Sequence, residues 1–457
     1  MMARAVKPRV HWVSPLPPAE TDIGHYTARI LPELAEATEL TLWTDAPRWD
    51  RALEKHCPVR QLDPDGMLPR DFPRGGRGQG DAVFVHIGNS WVYHSGFLRL
   101  VQRIPSIIVL HDLAIQELCN EAVLNDRFDA GTYRDGMARW YGAEGARLAS
   151  GLLDGQIPPL DVAMQAPGFE LTLSRAISVL AHTPAAYEAT EARSVLPAYL
   201  LDLPFRPSAQ TPSERRPEAG PLRFAQFGYI GPNRRLEAVL EALSAVRDDI
   251  DFVFDIMGNV WDPHYIQGRI EDLDLAERVK IHGFVDEPVL DACLAQAHLV
   301  FNLRYPTMGE ASGSQLRIWN ASAAAVVSDL GWYGSLPDET VFKIPHADEQ
   351  AALIALLRNL AADRSIGAAI GRAGRARLEA RHTPARYAEG IAHVAAQAAG
   401  DARSALLARS ASGVLARSPD PQPLLQARLA RHLADEAALT GALLIQMSGI
   451  LDDPFYI

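Results

Sequence analysis

The 457-residue chain is poor in cysteine, with three, and in lysine, with four. Cys57, Cys119 and Cys293 are odd in number, widely separated and form no CxxC pair. This excludes a disulfide scaffold and a cysteine-based zinc site, and points to a reducing compartment, the cytoplasm. Arginine carries most of the positive charge, yet the formal net charge is −12, which excludes broad nonspecific nucleic-acid binding. No apolar run approaches the roughly 18–20 residues that cross a bilayer. The stretch Met1–Val10 is polar and basic and lacks the apolar core of a signal peptide. Peripheral attachment at the inner membrane face needs no such span and stays open. The sequence also lacks GxxxxGK[ST], HExxH, a GxGxxG after its first strand and a GxSxG at a strand-to-helix turn. A nucleoside-triphosphate loop, a zinc peptidase, an NAD-type site and a serine hydrolase are therefore disfavoured. No cofactor and no metal is expected.

What is present is an alternation. Short apolar runs at Arg9–Ser14, Leu40–Trp43, Ala82–Ile87, Ser106–His111 and Ile177–Ala181 read as strands. Helical patterns fall at Ile23–Ala37, Phe97–Arg103 and Tyr133–Leu153. In the first helix Ile23, Tyr26, Ile30, Leu31 and Leu34 share one face. Strands alternating with helices predict a doubly wound α/β sheet. Gln61–Gly80, rich in Gly, Pro and Arg, reads as a surface loop. Arg206–Pro221 carries four prolines without apolar period and reads as a linker. After it the alternation resumes: strand Leu222–Tyr229, helix Pro232–Val246, strands Phe252–Met257 and Val279–Phe284, and helix Glu287–Ala297. Strand Leu299–Leu303, helix Ser314–Ala324, strand Ala325–Ser328 and helix Glu349–Ala361 follow. The expected organisation is a domain over 1–205, a linker over 206–221, a second α/β domain over 222–395 and a helical extension over 396–457. The extension reads as packing material or an oligomerisation element.

In open parallel sheets ligands bind at the carboxyl ends of strands, near helix N-termini. Four segments of the chain fall at such places. Gly228-Tyr-Ile-Gly-Pro-Asn-Arg-Arg235 joins a strand to a helix. Arg234 and Arg235 there sit where the helix dipole is already positive, a conflict that a bound phosphate relieves. Arg304–Arg317 makes a second such join. Its Ser312-Gly313-Ser314 offers N–H groups and hydroxyls to a diphosphate, and Glu310 offers acceptors to sugar hydroxyls; Ser312-x-x-Gln315 equally fits a capping box. A polar set in the first half comprises His86, Asn89, His94, His111 and Asp112. It suits a polyol, while hydrogen-bonded structural histidines are the plainer reading. The fourth segment, Pro15–Tyr26, reads as a proline-stiffened loop running into the first helix.

Taken in order, these pieces resemble a family 4 glycosyltransferase of the GT-B fold. They are Pro17-Pro18 through Ile23-Gly-His-Tyr26, His86-Ile-Gly-Asn-Ser90 and His111-Asp-Leu113. In the second half they are Phe227–Arg235, Gly283-Phe-Val-Asp-Glu287, Asn302–Glu310 and Ser328-Asp-Leu-Gly-Trp332. The resemblance covers nearly all of residues 8–395. It implies two Rossmann-like α/β domains facing across a cleft. A nucleoside-diphosphate sugar would be held mostly by the second domain. A glycan, lipid-linked or protein glycoconjugate acceptor would sit on the first. It places catalytic roles on His111, Arg234 and Glu310, and donor contacts on Gly24, Gly231, Arg235, Ser312, Gly313, Ser314 and Arg317. The acceptor side would fall on His86, Asn89, His94 and Asp112. The chemistry implied is transfer with retention of anomeric configuration. Three positions depart from the family pattern. Ile318 stands eight residues after Glu310, where a second glutamate belongs, with Arg317 one residue earlier. Tyr229 replaces a phosphate-binding arginine that many relatives carry, and Asp22 a frequent glycine. A noncatalytic nucleotide-sugar-binding subunit is the competing reading. A nucleotide-sugar epimerase and a solute-binding protein are weaker ones.

Overall fold

The computed structural model describes residues 7–72, 81–193, 196–208 and 219–415. The chain divides into two compact units. The first is Met1–Asp202 with Met308–Glu310 and Pro384–Ile457; the second is Leu203–Thr307 with Ala311–Thr383.

The first unit runs β1 (Arg9–Val13), α1 (Asp22–Ala37), β2 (Glu39–Thr44), β3 (Val59–Gln61), β4 (Asp81–Ile87), α2 (Trp91–Val101) and β5 (Ser106–Leu110). It continues with α3 (Gln116–Leu124), α4 (Ala130–Leu153), α5 (Pro159–Gln165), β6 (Ala176–Ala181), α6 (Pro184–Arg193) and β7 (Ala198–Leu200). The strands form a parallel sheet in the order β3-β2-β1-β4-β5-β6-β7. Helices cover parallel sheets on both faces, so central strands read as unbroken apolar runs. Ser106-Ile-Ile-Val-Leu110 and Ala176-Ile-Ser-Val-Leu-Ala181 are accordingly buried throughout.

The second unit runs β8 (Leu222–Phe227), α7 (Leu236–Val246), β9 (Phe252–Met257), α8 (Pro263–Asp272), β10 (Val279–Gly283), α9 (Glu287–Gln296) and β11 (Leu299–Phe301). Then come α10 (Gly313–Asn320), β12 (Ala325–Ser328), α11 (Gly331–Gly334), β13 (Phe342–Ile344), α12 (Glu349–Ala362) and α13 (Ser365–Arg381). Its parallel sheet has the order β10-β9-β8-β11-β12-β13, the doubly wound pattern whose winding reverses between β8 and β11. Leu236, Val239, Leu240, Leu243 and Val246 bury the apolar stripe of α7 in a core shared with Phe224, Phe252, Phe254 and Phe301.

The final described helix, α14 (Pro384–Leu415), packs on α1, β4 and β6 of the first unit. Tyr387, Ile391, Val394, Ala395 and Ala398 recur at helical spacing and are buried. Asp401 accepts a hydrogen bond from the Tyr199 hydroxyl at 2.8 Å. The return to the first unit thus comes at Pro384, earlier than the expected boundary after 395. The expected linker also shrinks at its start. Leu203 O accepts from His382 Nδ1 at 2.7 Å, and Ser208 N donates to Asn320 Oδ1 at 2.8 Å, so 203–208 already lie on the second unit. Most of the rest of that linker, and 416–457 of the extension, fall outside the described residues. No described helix is long and apolar enough to cross a membrane.

Two helices are displaced from their expected spans. The expected Phe97–Arg103 begins at Trp91, directly after Ser90, so His94 is helical. The expected Pro232–Val246 is a short 3-10 turn, Pro232–Arg234, followed by α7, with Arg235 between them at φ 58°. A non-glycine residue in the left-handed region breaks a helix that apolar spacing alone reads as continuous.

Candidate functional site

In the first unit, strand register gathers histidines. Register partners in a parallel sheet point to the same face, and so do residues two apart on a strand. His86 of β4 is opposite Val109 of β5, itself opposite Leu180 of β6. His111 and His182 come two residues later, each directly after its strand ends. All three imidazoles therefore share one face at the carboxyl end of the sheet. His86 Nδ1 lies 2.7 Å from His111 Nε2. The His111 ring is flanked by His86 and His182, both at 5.1 Å between centroids, and by the edge of Tyr26 at 5.3 Å. Trp12 closes over His86 at 4.3 Å. Tyr26 of α1 and Tyr387 of α14 join through their hydroxyls at 2.5 Å.

Burial governs the charge of this cluster. Desolvation, reinforced by neighbouring imidazoles, holds His86 and His111 well below the usual histidine range. Desolvation also brings His94 and His182 down to about 4. The cluster is therefore held neutral at pH 7 and offers hydrogen-bonding groups without cationic charge.

Met308–Glu310 lies against these strand ends. Met308 O accepts from Leu113 N at 2.9 Å and Ala114 N at 3.0 Å, and Gly309 O accepts from Thr183 Oγ1 at 3.1 Å. Gly309 has φ 79°, and a Cβ there would meet Leu113 Cβ at 2.5 Å, so only glycine permits the approach. The Glu310 carboxylate accepts from Met308 N at 2.7 Å. The segments bearing His111 and Glu310, distant in sequence, are brought together within one unit.

In the second unit a charged lattice sits where the winding reverses. After β8 the chain turns at Gly228, φ 98°, and reaches Arg234. Arg234 Nη1 donates to Oδ1 of buried Asn302, which follows β11, at 3.1 Å. Asn302 Nδ2 donates to Gln315 Oε1 at 3.0 Å and to Ser312 Oγ at 3.4 Å. Ser312 Oγ also accepts from Gln315 N at 3.0 Å, capping α10. Gln226 Nε2 donates to Arg234 O at 3.0 Å. Gly313 opens α10, and a Cβ there would meet nothing within 4 Å. The arrangement combines a half-buried guanidinium, a helix N-terminus and free space, the elements of an anion site.

A cavity of about 240 Å³ opens between β8, β9, β10 and α9. In its wall Asp255 takes His282 Nε2 at 2.6 Å, and Cys293 Sγ stands 4.0 Å from the same carboxylate. Burial and that carboxylate push the Cys293 thiol up to about 11, so it is no nucleophile at neutral pH. Among the described residues no group of three or more His, Cys, Asp or Glu could hold a metal ion.

Residues 234–393 match the family model described as glycosyl transferase-like. HepE from Anabaena, solved in complex with UDP, is 15% identical with a TM-score of 0.54 over 85% of this chain and 99% of that one. Sucrose-phosphate synthase from Thermosynechococcus elongatus is 14% identical with a TM-score of 0.57 over 86% of this chain and 100% of that one. WaaG, a glycosyltransferase involved in lipopolysaccharide biosynthesis, is 14% identical with a TM-score of 0.50 over 84% and 99%. The fold is GT-B. No curated protein matches the chain in sequence.

Set on the GT-B frame, the expected site residues divide. His111 follows β5, Arg234 ends the turn after β8, and Gly313 and Ser314 open α10. Glu310 lies in the loop between β11 and α10, and Gly231 is buried just ahead of the Arg234 turn. Gly24 is the third residue of α1 and buried; a Cβ there would make only ordinary contacts, the nearest at 3.4 Å, so local packing does not demand a glycine. Arg235 is committed elsewhere: its guanidinium makes a forked pair with the nearly buried Glu349, with contacts of 2.5, 3.0 and 3.2 Å. Arg317 ties α10 to α9 through Asp291 at 2.9 Å and Glu287 at 3.2 Å, while Ile318 is fully buried. Arg317 is thus engaged between two helices. The Ser312 hydroxyl is already an acceptor twice over and caps α10, but the reciprocal half of the expected capping box is missing, because Gln315 Oε1 accepts from Asn302. Asp22 is the first residue of α1, where an acid suits the helix dipole.

Of the four expected acceptor-side residues, two are sealed from solvent and two, only half-buried, are hydrogen-bonded into turns. His86 and His94 are fully buried and present no surface to an acceptor; His94 Nδ1 donates to His86 O at 3.1 Å. Asn89 Oδ1 accepts from Leu118 N at 3.1 Å, and Asp112 Oδ2 accepts from Asn89 N at 2.8 Å, so both brace the turns after β4 and β5. Two polar residues of the site were not singled out from sequence. His182 follows its strand just as His111 does, and that signal would have found it. Asn302 was placed inside an apolar strand run that ends at Phe301.

Proposed function

We propose that the protein is a glycosyltransferase that moves a sugar from a nucleoside-diphosphate sugar to a hydroxyl of a glycan or glycoconjugate, with retention of anomeric configuration. The observation that carries this reading is Arg234, fixed by Asn302 at the point where the second sheet's winding reverses and beside the open start of α10. HepE, whose structure holds UDP, shares the fold, and the family model spans Arg234.

In this reading Arg234 and the N–H groups of Gly313 and Ser314 stabilise the charge that develops on the departing diphosphate. A donor of this kind is worth about 3–4 kcal/mol. His111 and Glu310 bind hydroxyls of the transferred sugar. The acceptor oxygen bonds to the anomeric carbon on the face from which the phosphate oxygen leaves, and its proton passes to that phosphate. No cofactor takes part. Donor titration and nucleoside-diphosphate release by Arg234→Ala and Glu310→Ala, with folding checked by circular dichroism, test the assignment. Folded variants with undiminished affinity and turnover would falsify it. A second reading, a subunit that binds the donor without transferring it, is favoured by buried Ile318 where a ribose-binding glutamate belongs. It requires donor binding with no release in the presence of any acceptor.

A further inference from the structure

The His86–His111 contact fixes more than a distance. Both rings are neutral and share one proton across 2.7 Å. If His111 Nε2 carries it, neutral His86 must carry its own proton on Nε2. That atom is buried and has no hydrogen-bond partner among the described residues. If His86 Nδ1 carries the proton, a bare lone pair is buried there instead. The other buried imidazoles with an unpartnered Nε2, His182 and His382, both take the second form: their Nδ1 atoms donate to Leu201 O and Leu203 O, which leaves Nε2 bare. The second arrangement leaves His111 with Nε2 as acceptor and its proton on Nδ1, the nitrogen that makes no hydrogen bond among the described residues. His182 supports this from the other flank. Its Nδ1 donates to Leu201 O at 3.0 Å, so it supplies no competing proton to the His111 ring.

We propose that His86 is a positioning residue that holds His111 as the neutral Nδ1–H tautomer, so that His111 offers a hydrogen-bond donor to a hydroxyl of the sugar. The catalytic part of this statement rests on the transferase reading; the tautomer does not. Histidine labelled with ¹⁵N in the full-length protein, with His111 assigned through His111→Asn, reads the tautomer at pH 7 without any ligand. The expected spectrum shows His111 protonated at Nδ1 and bare at Nε2. His86→Leu removes the donor and should leave His111 a mixture of tautomers. It should also lower kcat/KM for the donor about two- to fivefold, as the Nδ1–H population falls. His86→Asn, whose amide can replace Nδ1–H, should restore both. Protonated Nε2 in the wild type overturns the proposal, as does an unaltered His111 spectrum in folded His86→Leu. Should His86→Leu fail to fold, the wild-type spectrum and His86→Asn still decide. If no donor sugar is ever turned over, the spectrum keeps its meaning and only the transferase reading falls.

Discussion

The two units use the carboxyl ends of their parallel sheets in opposite ways. The first gathers half-buried His111 with buried His86, His182, Tyr26 and Tyr387 into a cluster whose titratable groups are all held neutral. The second sets a cation, Arg234, on the polar ladder Asn302–Gln315–Ser312, beside a helix start. One shared architecture therefore supplies two environments, one suited to hydroxyls and one to an anion. The difference lies in which residues the strand ends carry: imidazoles on β4–β6, joined by tyrosines of α1 and α14, against an arginine and carboxamides from β8 and β11.

The largest way to break this contrast is acid. The folded cluster refuses protons that the unfolded chain takes up below the ordinary histidine value of 6.5, and His94 and His182 accept theirs only near 4. Unfolding therefore binds protons, so stability is complete above pH 6.5 and falls as pH drops toward 4. The loss is about 3 kcal/mol for each of these two histidines. Urea melts from pH 7 to 4.5 measure it, and a flat stability profile across that range contradicts it.

Arg234→Ala comes next. It should cost about 3–4 kcal/mol of transition-state stabilisation, a loss of a hundredfold or more in nucleoside-diphosphate release. The melting temperature should fall modestly, because buried Asn302 Oδ1 loses its guanidinium donor, and the variant should stay folded. Arg235→Ala sharpens the contrast from one residue away. It strands the nearly buried Glu349 and should destabilise the fold by about 2 kcal/mol, read in urea melts, while donor affinity stays near that of the wild type. If the two neighbours behaved alike, the division between a ligand arginine and a structural arginine would be wrong. The smallest effect is expected from Tyr387→Phe. It removes the hydroxyl paired with Tyr26 and should cost about 1 kcal/mol, measured by denaturant melts.

Much of this was legible in the sequence. Long apolar runs buried on both faces gave the central strands, and the stripe of Leu236, Val239, Leu240, Leu243 and Val246 gave α7. The three-residue edge strands β3, β7 and β13 were not, because three residues carry no readable period. Local chemistry marked Arg234, His111 and Glu310, since a polar residue at a strand's end needs a partner. It could not separate Arg234 from Arg235, because the partner of Arg235, Glu349, lies more than a hundred residues away in sequence. Arg317 illustrates the same limit: its partners Glu287 and Asp291 stand on another helix. Motif order carried the family resemblance, and long-range pairing decided which cations were already engaged.

The measurement that tests the central claim most directly is a panel of UDP-, GDP-, ADP- and dTDP-sugars incubated with the purified protein. It is read for binding and for release of nucleoside diphosphate, with Arg234→Ala in parallel. The account predicts that one donor binds and is slowly hydrolysed, and that Arg234→Ala abolishes release while remaining folded. Failure of every donor to bind, or release undiminished in Arg234→Ala, would contradict it.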